Sequence, residues 1–174
     1  MAITEPETQV PIAENPLIGA PRTGNGRALF AGKCSHTVDS QGRVQFPSRW
    51  KVRAGDTELL GVLVEHRGTK ASFILVLNWD QFDQLTAGVL TGPFTDMEAL
   101  ARRHDVAERV LPIELDAQGR FFVPAELRRA IGVKKDVELI GSIDRFEIWA
   151  PETYAAARVE EKDFLSKQNR PANL

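Results

Sequence analysis

The ten residues VDSQGRVQFP at positions 38–47 recur as LDAQGRFFVP at positions 115–124, with the acid, the Gln-Gly-Arg and the proline at matching places. Laid over one another at one constant spacing, the copies match Asp39 to Asp116, Gln41 to Gln118, Gly42 to Gly119, Arg43 to Arg120, Pro47 to Pro124 and Gly55 to Gly132. Further on the spacing shortens, so that ASFILVLNWDQF from Ala71 lies over DRFEIWAPETYA from Asp144, with Phe73 over Phe146. The first copy carries the longer loop, EHRGTKA, where the second has GSID.

Each copy reads as strand, tight turn, short strand, helix, strand, hairpin strand and helix. In the second, VLPIEL and FFV are β-rich runs around DAQG, a turn in which Gly119 supplies positive φ and Asp116 bonds nearby amides. PAELRRAIG follows as a short helix. Pro124 suits its first turn, Leu127, Ala130 and Ile131 share one face, and Gly132 stops it. PSRWKVRAG repeats the pattern with Trp50 in place of Leu127. DVELIGSIDRFEIWA then predicts a hairpin, and a closing helix starts at Pro151. In the first copy a helix begins near Trp79. Between the copies, TDMEALARRH predicts a helical connector with Thr95 and Glu98 as a capping box.

The 174 residues, 43% hydrophobic and 26% charged, belong to a soluble globular chain. No run approaches the roughly 18 apolar residues of a membrane span, and the N-terminus lacks a signal-peptide layout, which predicts a cytoplasmic protein without membrane partners. The single cysteine, Cys34, excludes an internal disulfide, and His36, His66 and His104 are too dispersed for a metal cluster. No metal and no cofactor is expected. The prolines at 6, 11, 16 and 21 among Thr, Glu, Asn and Gly predict a disordered leader over residues 1–27, and the chain end is expected to fray.

A unit of about 45 residues with two hairpins and a short helix is too small to bury its own core. The two copies must cover each other. The simplest solution is a pseudo-two-fold arrangement whose interleaved strands form one barrel and bring the two Asp-x-Gln-Gly-Arg turns to equivalent positions.

LFAGKCSHTVDSQGRVQFPSRW and PIELDAQGRFFVPAELRRAIGVKKDVELIGSIDRFEIW resemble the two repeats of the MraZ proteins, relatives of AbrB and SpoVT. The likeness runs from about Leu29 to Tyr154, and its signature is the doubled Asp-x-x-x-Arg, Asp39 to Arg43 and Asp116 to Arg120. It implies a mostly β fold with short helices (α+β), in which two tandem swapped-hairpin AbrB-like repeats, at residues 28–82 and 110–157, form a double-split β-barrel. Residues 83–109 become a helical connector and 158–174 the end of the last helix and tail. The resemblance further implies a ring-shaped homo-oligomer, nucleoid-associated, that regulates transcription by binding direct repeats in double-stranded DNA upstream of the division and cell-wall gene cluster. DNA contact is attributed to the turns, hence to Arg43 and Arg120.

A turn fixed by Gly42 or Gly119 and by Asp39 or Asp116 holds a guanidinium with little freedom left to lose, and arginine bonds guanine or phosphate bidentately. The carboxylates orient the turn and do not themselves meet anionic DNA. The blander reading is an ion pair that merely braces each turn. The net charge of -2 argues against a generic nucleic-acid binder. Yet basic residues gather beside the turns, with Arg49, Lys51 and Arg53 in the first copy and Arg128 and Arg129, near Glu126, in the second. An aspartic-protease dyad is excluded by the glutamine and arginine that follow each aspartate, since a neighbouring guanidinium opposes a shared proton. The competing class is a ring-forming scaffold that binds protein without DNA. Trp50, Trp79 and Trp149 are read as core or subunit-contact residues, and RFEIW as a segment that could join subunits.

Overall fold

The computed structural model describes residues 29–50 and 58–168. The leader, Lys51, Arg53, Gly55 and the chain end beyond residue 168 lie outside the described residues. The first copy contributes β1 (Phe30–Thr37), β2 (Arg43–Gln45), β3 (Leu59–Glu65), β4 (Ser72–Leu77) and helix α1 (Trp79–Thr86). Helix α2 (Met97–Glu108) connects it to the second copy, which supplies β5 (Val110–Ile113), β6 (Arg120–Phe122), α3 (Ala125–Ala130), β7 (Asp136–Ile143), β8 (Phe146–Trp149) and α4 (Pro151–Lys167). The fold is mixed α+β, with one large antiparallel sheet and short helices.

Strand pairing interleaves the copies. The six-stranded sheet runs β1-β7-β8-β4-β3-β5, and β2 pairs with β6 in a separate two-stranded ribbon. Thus β1 of the first copy lies on β7 of the second, β5 of the second lies on β3 of the first, and the hairpins meet at β4 and β8, where Ile74 faces Ile148. Each copy lends its first strand to the other's hairpin, as expected of units too small to stand alone. Among the described residues the sheet ends at β1 and β5 and closes no barrel.

The core sits between the sheet and the ribbon. Phe146 is fully buried and meets Phe30 at 5.2 Å, Trp50 at 5.2 Å, Phe46 at 5.8 Å and Phe121 at 6.3 Å between ring centroids. Ile148 and Trp149 are equally buried, so the apolar residues of RFEIW lie in this chain's own core. Trp50 is also buried, and its indole donates to the Ala31 carbonyl at 2.9 Å. Trp79 departs from the core reading: it is 50% exposed at the start of α1 and donates to Glu58 Oε2 at 3.2 Å.

Local signals mostly act as read. Gly132 has φ +75° just past α3, and α4 carries Pro151 in its first turn. Ile131, at the C-cap just past α3, is buried, whereas Leu127 is half-buried and Ala130 is exposed. In the first copy Pro47–Trp50 form a turn, the Trp50 amide donating to the Pro47 carbonyl at 3.0 Å, and the rest of the expected helix lies outside the described residues. The connector's cap is Asp96, not Thr95: its carboxylate accepts the Ala99 amide at 2.8 Å, so the helix starts one residue later than the Thr95–Glu98 pattern implied. A carboxylate at that end also meets the positive pole of the helix. The full capping box belongs to α1, where Asn78 and Gln81 bond each other's backbone amides.

Two glycines mark close approaches between neighbouring strands. A Cβ on Gly141 would lie 2.5 Å from the carbonyl carbon and oxygen of Phe30, which are main-chain atoms. A Cβ on Gly61 would meet Leu111 Cδ2 at 2.7 Å and Ile74 Cγ2 at 2.9 Å, both side-chain atoms, which repack more readily than main chain. Gly141→Ala is therefore expected to destabilise the fold by about 1–3 kcal/mol and Gly61→Ala by less, read as urea midpoints at constant slope. An unchanged midpoint for Gly141→Ala refutes the close approach.

Candidate nucleic-acid interface

The two turns are built from the same bonds. Asp39 Oδ1 accepts the amides of Gln41 and Arg43, each at 2.9 Å, and Oδ2 accepts Arg43 Nε at 2.8 Å. Asp116 Oδ1 accepts the amides of Gln118 and Arg120, each at 2.9 Å, and Oδ2 accepts Arg120 Nε at 2.9 Å. Main-chain bonds close each loop at its base: the Asp39 amide donates to the Arg43 carbonyl and the Gly42 amide to the Asp39 carbonyl, and the Asp116 amide donates to the Arg120 carbonyl and the Gly119 amide to the Asp116 carbonyl. Gly42 and Gly119 lie at φ +82° and +70°, where a side chain would be strained. One carboxylate thus fixes both the backbone of the turn and the plane of its guanidinium.

The ribbon sets these turns side by side. Arg43 faces Phe122, Val44 faces Phe121, and Gln45 faces Arg120. Because strand side chains alternate, Val44 and Phe121 enter the core while Arg43, Gln45, Arg120 and Phe122 share the outer face. Crossed bonds lock the register: the Phe46 amide donates to the Gly119 carbonyl and the Val123 amide to the Gly42 carbonyl, both at 2.9 Å. Arg120 Nη1 lies 4.0 Å from Asp39 Oδ2, so each turn feels the other's charge.

The turns are not equally engaged. Arg120 Nη2 bonds Asp116 Oδ2 at 2.9 Å and Gln118 Oε1 at 3.0 Å. Arg43 uses Nε on Asp39, and among the described residues both of its terminal nitrogens are without a protein partner. Arg43 therefore presents the freer guanidinium.

The other basic residues divide. Arg128 joins the cluster: Nε donates to the Val123 carbonyl at 3.1 Å, and Nη2 lies 3.2 Å from where a Cβ on Gly42 would be. Arg49 turns toward β1, donating to the Lys33 carbonyl at 2.6 Å and to Cys34 Sγ at 2.9 Å. Arg129 is exposed on α3, 3.6 Å from Glu126. Reading the sequence misses Phe122 and Gln45, though a signal was present: the positions two before each proline, Gln45 and Phe122, carry unlike residues inside an otherwise matched repeat.

Both aspartates are held below the ordinary carboxylate range, first by the amide of the following arginine and then by its side chain. A lowered folded pKa gives stability that is present above the unfolded value, about 3.9, and lost as pH falls through the folded value. Carboxyl-carbon NMR is expected to show Asp39 and Asp116 titrating below about 3.9, with the Gln41 and Gln118 amide shifts moving in the same step. Titration at or above that value contradicts the turn geometry.

A family model described as "MraZ protein, putative antitoxin-like" matches residues 111–172. The protein named Transcriptional regulator MraZ from Acetivibrio thermocellus is 30% identical over 121 residues, covering 70% of this chain and 80% of that protein. The protein of the same name from Leuconostoc citreum is 30% identical over 142 residues, covering 80% and 95%. That from Ureaplasma urealyticum serovar 10 is 30% identical over 138 residues, covering 79% and 92%. With such likeness spanning both Asp-x-x-x-Arg turns, the chain belongs to the MraZ family.

Proposed function

We propose that this chain is a sequence-specific DNA-binding transcriptional regulator that reads short direct repeats upstream of the division and cell-wall gene cluster with the outer face of the β2–β6 ribbon. The terminal nitrogens of Arg43, without a protein partner among the described residues, carry the reading, held beside Arg120 on a two-stranded ribbon. The major groove admits such a ribbon, and a guanidinium with two free donors matches O6 and N7 of guanine. The relatives named as transcriptional regulators support the same assignment. Arg128 borders the first turn and Arg49, Lys51, Arg53 and Arg129 serve phosphates nearby. Asp39, Gly42, Asp116 and Gly119 position the arginines. Aspartates held ionised by arginine suit a binder, not a shared-proton catalyst.

On this reading the sheet and ribbon are the two parts of a double-split barrel built from swapped-hairpin repeats at residues 28–82 and 110–157. Copies of the chain join head to tail in a nucleoid-associated ring. One ribbon discriminates poorly, since each mismatched base pair costs only about 1–3 kcal/mol. A ring that repeats the ribbon in one orientation adds the contributions and favours direct repeats about one helical turn apart.

The test uses the full chain and the promoter fragment upstream of that gene cluster. Arg43→Ala is expected to weaken binding by about 1–3 kcal/mol per ribbon, with unchanged circular dichroism. Arg120→Ala should cost less, because its guanidinium is partly engaged within the turn. Unchanged affinity on gel shift for Arg43→Ala rejects the assignment. Binding should also fall steeply with salt, whereas salt-insensitive retention points to a protein-binding scaffold. Inserting about half a helical turn between repeats should abolish the cooperative gain, and equal affinity at every spacing overturns the ring arrangement.

A further inference from the structure

Phe122 is 52% exposed on the outer face of β6, directly across the ribbon from Arg43. Its ring lies on the first turn: a Cβ at Gly42 would sit 2.9 Å from Phe122 Cε2. An exposed aromatic alone means little. This one breaks the symmetry of an otherwise matched face. The corresponding residue of the first copy is Gln45, whose amide group donates to the Gly119 carbonyl at 2.9 Å and the Gln118 carbonyl at 3.3 Å. Gln45 thus braces the second turn with a polar group, while Phe122 leaves an apolar surface beside the freer of the two turn guanidiniums.

We infer that Phe122 is a specificity-determining residue that packs on the 5-methyl group of a thymine next to the guanine taken by Arg43. The inference rests on the DNA reading above. The thymine methyl is the apolar group that a base pair offers in the major groove, and the outer face of the ribbon offers one phenyl ring to meet it. Cross-strand partners stand about 5 Å apart between Cβ atoms. Successive bases rise about 3.4 Å. The thymine therefore falls within one or two base pairs of that guanine. Because Gln45 replaces the phenyl at the other turn, the preference is one-sided, and it gives each recognised repeat a direction.

Deoxyuridine differs from thymidine by this methyl group alone, so replacing one with the other separates a base contact from a bracing role. A duplex enriched by the full-length protein from a randomised library is remade with each thymine in turn changed to deoxyuridine, and affinities are read by fluorescence anisotropy. One replacement, beside the guanine whose alteration no longer matters in Arg43→Ala, is expected to weaken wild-type binding about fourfold, the factor for burying one methyl group. The same replacement should change binding by Phe122→Ala less than about twofold, while Phe122→Leu retains part of the sensitivity. If every replacement affects wild type and Phe122→Ala equally, Phe122 only braces the turn and the inference fails, with the DNA reading intact. If the library yields no enriched duplex, the DNA reading itself fails.

Discussion

The packing of Phe146 is the constraint on which the rest depends. Its ring comes from β8 of the second copy, yet three of its four aromatic neighbours, Phe30, Phe46 and Trp50, belong to the first. No single copy could assemble this cluster. Removing a fully buried phenylalanine costs about 3–5 kcal/mol, a large share of what holds a domain of this size together. The exchange of β1 and β5 between the hairpins follows from the same need, since each lent strand covers apolar surface its own copy cannot reach.

That shared core reaches the candidate site through two residues. Val44 and Phe121 are cross-strand partners on the ribbon's inner face, both buried, and they hold the ribbon against the sheet. Alternation then compels their neighbours outward, so Arg43, Gln45, Arg120 and Phe122 gain a common face. The turns add angular definition. Each aspartate binds two amides and one Nε–H, which fixes the plane of the guanidinium; in the first turn the terminal nitrogens of Arg43 are left without a protein partner among the described residues, whereas Arg120 Nη2 folds back onto Asp116 and Gln118. The acid and base of one turn nearly cancel in net charge, so what the face offers is donor geometry more than a broad positive field.

Much of this was legible in the sequence because it is local. The Asp, Gly and Arg of each turn act within five residues, and positive φ at a glycine follows from the missing Cβ. The interleaving of strands was legible as a necessity of size, not as a register. Lying outside local reach were the exposure of Trp79, set by where α1 leaves the sheet, and the burial of RFEIW, set by the facing strands of the other copy. Asp96 took the cap from Thr95 because two neighbouring residues both qualified, and the difference of one position lies within the blur of any helix start. The unequal engagement of Arg43 and Arg120 was invisible, since it depends on where the Gln118 side chain bends back and on the neighbouring Asp39.

The repeat is kept where the core demands it and relaxed where it does not. Inside, Val44 meets Phe121 and both remain apolar, because a polar group there would lose water without gaining a partner. Outside, Gln45 and Phe122 differ while the arginines beside them match. A protein with true two-fold symmetry at this face would present the same groups in both directions along a duplex and would favour a palindrome. With a phenyl on one side and an amide on the other, the ribbon has a head and a tail. On the proposed function, that polarity is the property a ring needs if its members are to read successive repeats in one direction, and it arises within a single chain, before any second copy is added.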